Sequence, residues 1–138
     1  MKRFLACLLI AASVALALPA SADAPAAIPG ATTVDAQRVI ALINETPNLV
    51  IVDNRRAEDF NRGHIEGSIR ILDTEMTEAA LSQHARARNQ PVLFYCNGPA
   101  CGRAAKAAEM AVAWGYTSVY YYALGMDEWN RLNLPVVR

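Results

Sequence analysis

The sequence predicts an α/β domain on a mainly parallel central sheet flanked by helices on both faces. Three observations carry this. The runs "NLVIVDN" and "VLFYC" are short, continuously apolar and end in polar residues or a cysteine, as strands buried on both faces do. Such runs alternate with helical patterns over about a hundred residues, which is the order of a parallel sheet. No internal repeat points to a solenoid instead.

The first 22 residues are set apart. "MKRFLACLLIAASVALALPASADA" has a basic start at Lys2 and Arg3, an apolar stretch from Phe4 to Leu18 and an Ala20-Ser21-Ala22 cleavage site. This is the pattern of a secretory signal peptide. The apolar run is shorter than the ~20 residues that span a bilayer, so stable membrane insertion is not expected after cleavage. Cys7 precedes most of that run and leaves with it. A secreted or periplasmic chain of bacterial type starting near Asp23 is expected, with residues 23–31 as a flexible Ala/Pro leader and 32–138 as the folded domain.

Each element follows in order. In "TTVDAQRVIALINET" a short extended piece leads to Asp35 as N-cap, and Val39, Ile40, Leu42 and Ile43 give a helical stripe. "NLVIVDN" is a strand, "RAEDFNRGH" a helical turn closed by Gly63, and "SIRIL" a third short strand. Residues 74–88 predict a polar helix with Met76, Ala80 and Leu81 on one side and Arg86 and Arg88 near its C-terminal end, stopped by Pro91. "VLFYC" is a buried strand, Arg103 to Trp114 a helix ended by Gly115, "SVYYY" the last strand and "GMDEWNRL" the last helix before Pro135.

Charge narrows the function. The 13 basic residues less Lys2 and Arg3 leave 11 against 13 acidic ones, a formal −2 for the mature chain. No basic field for nucleic acid or anionic lipid results. Cys96, Cys101 and two distant histidines have no metal-ligand spacing, and no nucleotide-phosphate glycine motif is present, so neither metal nor cofactor is expected. The chemistry lies at Cys96, where an apolar strand ends in the loop Asn97-Gly98-Pro99-Ala100-Cys101-Gly102 and a helix begins at Arg103. Ligands of parallel sheets gather at such strand ends. Loop amides beside a helix N-terminus form an anion site, which lowers a thiol's pKa below about 8.5. Arg103 adds a fixed charge able to fork onto an oxyanion. Asn97, Gly98, Ala100, Cys101, Gly102 and Arg103 are therefore expected to bind substrate around a nucleophilic Cys96. Four residues separate Cys96 from Cys101, so a disulfide between them is open, whether resolving or structural.

The chain resembles the rhodanese family of sulfurtransferases over residues 32 to 137. "IVDNRRAEDFNRGHIEGSIRI" is similar to the family stretch in which a strand ends in Asp-x-Arg and a Gly-His-Ile-x-Gly segment leads into the next strand, here Asp53, Arg55, Glu58, Phe60, Gly63, His64, Ile65 and Gly67. "LGMDEWNRLNLPVV" is similar to the family's ending at Gly125, Trp129, Pro135 and Val136. The resemblance implies that Cys96 takes sulfur from an anionic, thiosulfate-like donor as a persulfide and passes it to a thiol or cyanide, with a protein as a further class of donor or acceptor. It also implies ordering roles for Asp53, Arg55 and His64 and a core role for Trp129. One departure stands out: six residues separate Cys96 from Arg103, where sulfurtransferases have four and the related phosphatases five. The alternatives are a thiol/disulfide redox protein using Cys96 and Cys101, and a non-catalytic sulfur-carrying or binding module. The loop count disfavours a phosphatase.

Overall fold

The computed structural model describes residues 23–138. Residues 1–22, with Cys7 and the segment expected to be a signal peptide, lie outside the described residues.

Strand β1 (Ala31–Thr33) is followed by α1 (Ala36–Glu45), β2 (Val50–Asp53), α2 (Ala57–Arg62) and β3 (Ile69–Arg70). Then come α3 (Glu78–Ser82), β4 (Val92–Tyr95), α4 (Arg103–Ala113), β5 (Val119–Tyr122) and α5 (Gly125–Arg131). The sheet order is β1-β5-β4-β2-β3, and every neighbouring pair is parallel. The α/β expectation therefore holds.

Side-chain alternation divides the core. Val92, Phe94 and Cys96 face a cluster that includes Leu81 and the buried alanines of α4. Leu93 and Tyr95 face the other cluster, with Val39 and Leu42 of α1 and Met126 and Trp129 of α5. Ala104, Ala105, Ala107, Ala108 and Ala111 give α4 a face without bulk, so its axis can lie close to β4 and β5.

The connections set the site. From β2 the chain moves outward to β3, whereas from β4 it returns toward β5. Chain direction thus reverses between the adjacent C-terminal ends of β2 and β4, which opens a crevice there. Asn54 and Cys96 follow those two ends.

Three local expectations change. Asp35 caps α1 as expected, accepting from the Arg38 N–H at 2.9 Å. Of the apolar stripe, however, only Val39 and Leu42 reach the core, while Ile40 and Ile43 are 37% and 38% exposed. The inward face is set by Ala36, Val39 and Leu42 at three-residue spacing, which turns Ile40 and Ile43 to its flank.

The predicted 74–88 helix is a 3₁₀ turn at Asp73–Glu75 and the five-residue α3. Thr77 interrupts it by capping α3, accepting from the Ala80 N–H at 3.0 Å. Beyond Ser82 the backbone is drawn into tertiary bonds. The Ala85 carbonyl accepts from the Tyr116 hydroxyl at 2.7 Å, and the Arg88 carbonyl from the Thr117 N–H at 2.9 Å. Those contacts override a weak local helix preference.

The leader also differs from a featureless tail. Ile28 is buried, the Tyr121 hydroxyl donates to Pro25 O at 2.9 Å, and Ala31 already belongs to β1. The Ala24 N–H donates to Pro99 O at 2.6 Å, so this segment lies against the cysteine loop.

Candidate active site

Asp53 and Arg55 close the end of β2. Arg55 donates to the Asp53 carboxylate through Nε and through Nη2, the latter at 2.7 Å, and Nη2 also donates to Gly63 O at 2.8 Å. Both side chains are buried. Burial works against the Arg55 charge, but the hydrogen bonds and charge of Asp53 outweigh it and hold the guanidinium pKa above its ordinary value. The Tyr95 hydroxyl accepts from the Ile65 N–H at 3.2 Å and lies 3.1 Å from Ser68 Oγ. Burial, then the nearby Asp53 charge, push its pKa far up, so it stays protonated. This node joins β2, β4 and the Gly63–Gly67 segment, and Arg55 also lines a cleft that reaches Asn97 and Asp127.

His64 belongs to the same frame. Its ring stacks on Phe60 at 3.6 Å between centroids, and Nδ1 lies 2.9 Å from Phe60 O. Its backbone bridges Val137. Trp129 is core, with Nε1 donating to Pro135 O at 2.9 Å.

Across the crevice, Cys96 is buried at 2% exposure and is disulfide-bonded to Cys101, with Cα atoms 6.2 Å apart. Its carbonyl accepts from the Met126 N–H at 3.0 Å, and Asn97 O accepts from the Asp127 N–H at 2.7 Å, so the start of α5 clamps the loop. Gly125 permits this clamp. It has φ +53°, and a Cβ there would collide with Cys96 O. Gly98 lies against the Asp127 carboxylate, where a side chain would also collide.

An open cleft of about 520 Å³ lies over the loop. All six expected binding residues, Asn97, Gly98, Ala100, Cys101, Gly102 and Arg103, line it. Cys96 does not: the sulfur at the cleft wall is that of Cys101, while Cys96 sits behind it in the core. The Cys101 N–H is spent on Gly98 O at 2.9 Å. The N–H groups of Gly98, Ala100, Gly102 and Arg103 have no protein acceptor among the described residues. With the N-terminus of α4 they supply the positive potential for an anion.

Sequence reasoning missed three charged residues of this cleft: Asp73, Lys106 and Asp127. Asp73 draws Arg103 Nε to 3.7 Å and Lys106 Nζ to 4.0 Å, and Arg103 Nη1 lies 3.9 Å from Cys101 Sγ. Two cations and two carboxylates leave the side-chain charge balanced, so anion attraction falls chiefly to the main chain. Lys106 was legible one turn after Arg103. Asp127 follows the Gly125 turn after β5, the neighbour of β4, and Asp73 lies beyond β3, so both required the strand order.

A buried Asp-x-Arg node, a cysteine at the crevice and a glycine-bearing loop entering α4 stand in the order the sequence resemblance implies, and residues 35–132 match the Rhodanese-like domain family. The chain belongs to that family. It is 34% identical over 98 residues to the uncharacterised protein YibN of Escherichia coli strain K12, covering 70% of this chain and 66% of that one, somewhat under two thirds of the relative's length. Among solved structures, the BH2092 protein from Bacillus halodurans is 26% identical, with a TM-score of 0.69 and coverage of 78% of this chain and 77% of that chain. A human single-domain sulfurtransferase is 25% identical, with a TM-score of 0.58 over 73% of this chain and 96% of its own.

Proposed function

We propose that the protein is an exported sulfurtransferase that moves sulfane sulfur from an anionic, thiosulfate-like donor to a thiol or cyanide through a persulfide on Cys96. The carrying observation is the position of Cys96 at the β2/β4 crevice, directly before a loop and α4 N-terminus whose Gly98, Ala100, Gly102 and Arg103 N–H groups have no protein acceptor among the described residues.

The disulfide places reduction first: a thiol reductant of the compartment converts Cys96–Cys101 to two thiols and is itself oxidised. The Cys96 thiolate then attacks the outer sulfur of thiosulfate. The S–S bond of the donor breaks, sulfite leaves with the bonding electron pair, and a terminal persulfide anion remains on Cys96. Attack by cyanide or an acceptor thiolate on that outer sulfur breaks the persulfide bond and returns the Cys96 thiolate. The loop amides stabilise the sulfur anion at both stages. Kinship with a human single-domain sulfurtransferase supports this reading.

Thiocyanate formation from thiosulfate and cyanide tests it. The reduced chain is expected to turn over with a double-displacement pattern, the oxidised chain to be silent until reduced, and Cys96→Ser to lose at least about a thousandfold in rate. A Cys96→Ser chain as active as the parent refutes it.

The disulfide itself favours a second reading, in which the pair is a redox couple that a partner thiol opens by attack on Cys101 at the cleft wall, with Cys96 leaving as thiolate. Under that reading Cys101→Ser abolishes activity. Under sulfur transfer it frees Cys96 and preserves activity.

A further inference from the structure

Asn54 is a buried side chain that the sulfur chemistry above does not use. It is fully buried at the end of β2, and its Oδ1 is the buried side-chain polar atom that lacks a hydrogen-bond partner among the described residues. Buried polar atoms are ordinarily paired, so an orphan acceptor asks for a donor.

The register shows where that donor is. Asp53 stands opposite Tyr95 of β4 on one side and Arg70 of β3 on the other. The ladder continues one residue further, because the Asn54 N–H donates to Tyr95 O at 2.9 Å and the Ile71 N–H to Asp53 O at 3.0 Å. Asn54 therefore lies between Ile71 and Cys96. Alternation puts its side chain on the face of Val52, which packs in the same cluster as Phe94, Ile71 and Cys96. Its Nδ2 is committed to Ile71 O on the β3 side, at 2.8 Å. With Nδ2 taken by Ile71 O on the β3 side, the residue in register across the other side of the ladder is Cys96.

In the disulfide Cys96 has no proton to give. Reduced, its S–H is a donor, weak but buried beside an unpaired acceptor. We infer that Asn54 is a positioning residue for Cys96: its Oδ1 accepts the Cys96 S–H in the reduced chain and is orphaned when Cys96–Cys101 forms, which biases the pair toward the dithiol. The bond also holds the protonated sulfur in the crevice. The inference concerns the same sulfur as the proposed transfer reaction, but it requires only that the pair be reducible.

The test uses the full chain carrying Cys7→Ser, so that only this pair titrates, equilibrated with glutathione and glutathione disulfide. Reduction consumes two glutathione thiols and yields two protein thiols and one glutathione disulfide. Asn54→Leu removes the orphan from the oxidised state, and its loss of the bond to Ile71 O is common to both states and cancels. It is expected to shift the equilibrium about tenfold toward the protein disulfide, equivalent to about 30 mV for this two-electron couple. A shift under about threefold, or toward the dithiol, overturns the inference.

Should Asn54→Leu fail to fold, infrared spectroscopy of Cys7→Ser/Cys101→Ser decides, at a pH low enough to protonate Cys96. A S–H stretch lowered relative to an unbonded thiol supports the bond, and a band at the unbonded position overturns it. Neither measurement involves a sulfur donor, so failed sulfur loading and a failed Asn54 bond are separate results.

Discussion

The ends of β2 and β4 lie side by side and are built in opposite ways. At β2 the polar groups of Asp53 and Arg55 are buried, bidentate and shared with Gly63 O. At β4 the charged groups run from a largely buried Asp73 to an exposed Lys106 and are held at 3.7 to 4.0 Å, while the Gly98, Ala100, Gly102 and Arg103 N–H groups have no protein acceptor among the described residues. Apart from Asn54 Oδ1, the first end spends its hydrogen-bonding capacity on itself and fixes the backbone. The second keeps that capacity for a guest. A parallel sheet can thus offer two neighbouring strand ends, one as frame and one as site, and the assignment is visible in how completely each is paired.

This comparison is broken most severely at the frame. Asp53→Ala leaves the Arg55 charge buried and unpaired, and a loss of about 3–5 kcal/mol is expected in urea unfolding. Asp73→Ala, which removes the long, partly exposed pairing with Arg103 and Lys106 at the cleft, should cost at most about 1 kcal/mol in the same titration. Equal losses would show the two ends to be alike.

A smaller effect is expected at the clamp between them. Gly125→Ala places a side chain at φ +53° against Cys96 O, costing about 1–3 kcal/mol and displacing the loop, so a lower kcat should accompany a lower Tm. At the site itself Arg103→Ala should leave stability within about 1 kcal/mol, because its partner lies at 3.7 Å and the side chain is partly exposed. It should raise KM for thiosulfate about tenfold with kcat nearly kept. Unchanged KM would leave donor recognition to the main chain alone.

The mildest consequence is confined to alkaline solution. Burial, then the hydrogen bond and charge of Glu128, raise the Tyr122 pKa, as burial and Asp53 raise that of Tyr95. Below about pH 10 both tyrosines are protonated folded or unfolded. Above it the unfolded chain ionises first and binds fewer protons, so stability should fall as pH rises past 10. Urea midpoints at pH 8 and 11 check the sign, and Tyr95→Phe should flatten the decline.

Much of this was legible in the sequence because it rests on local pattern. Apolar runs located β2 and β4, Asp35 announced its cap, and the glycines around Cys96 marked the loop of which five residues, with Arg103, line the cleft. What escaped depended on neighbours far along the chain. The 74–88 helix was cut short because Ala85 and Arg88 pair with residues near 116, and Ile40 and Ile43 turned outward because α1 packs through Ala36. Asp73 and Asp127 reach the site only through the order β1-β5-β4-β2-β3. The depth of Cys96 behind Cys101 was likewise hidden, since burial is a property of the whole core and not of the loop's composition.

The most direct test of the central claim is the intact mass and peptide map of the reduced Cys7→Ser chain after incubation with thiosulfate and removal of excess donor. The account predicts a gain of one sulfur atom, mapped to Cys96 and discharged by cyanide. A reduced chain that gains no sulfur at Cys96 from thiosulfate or any other sulfane donor would contradict it.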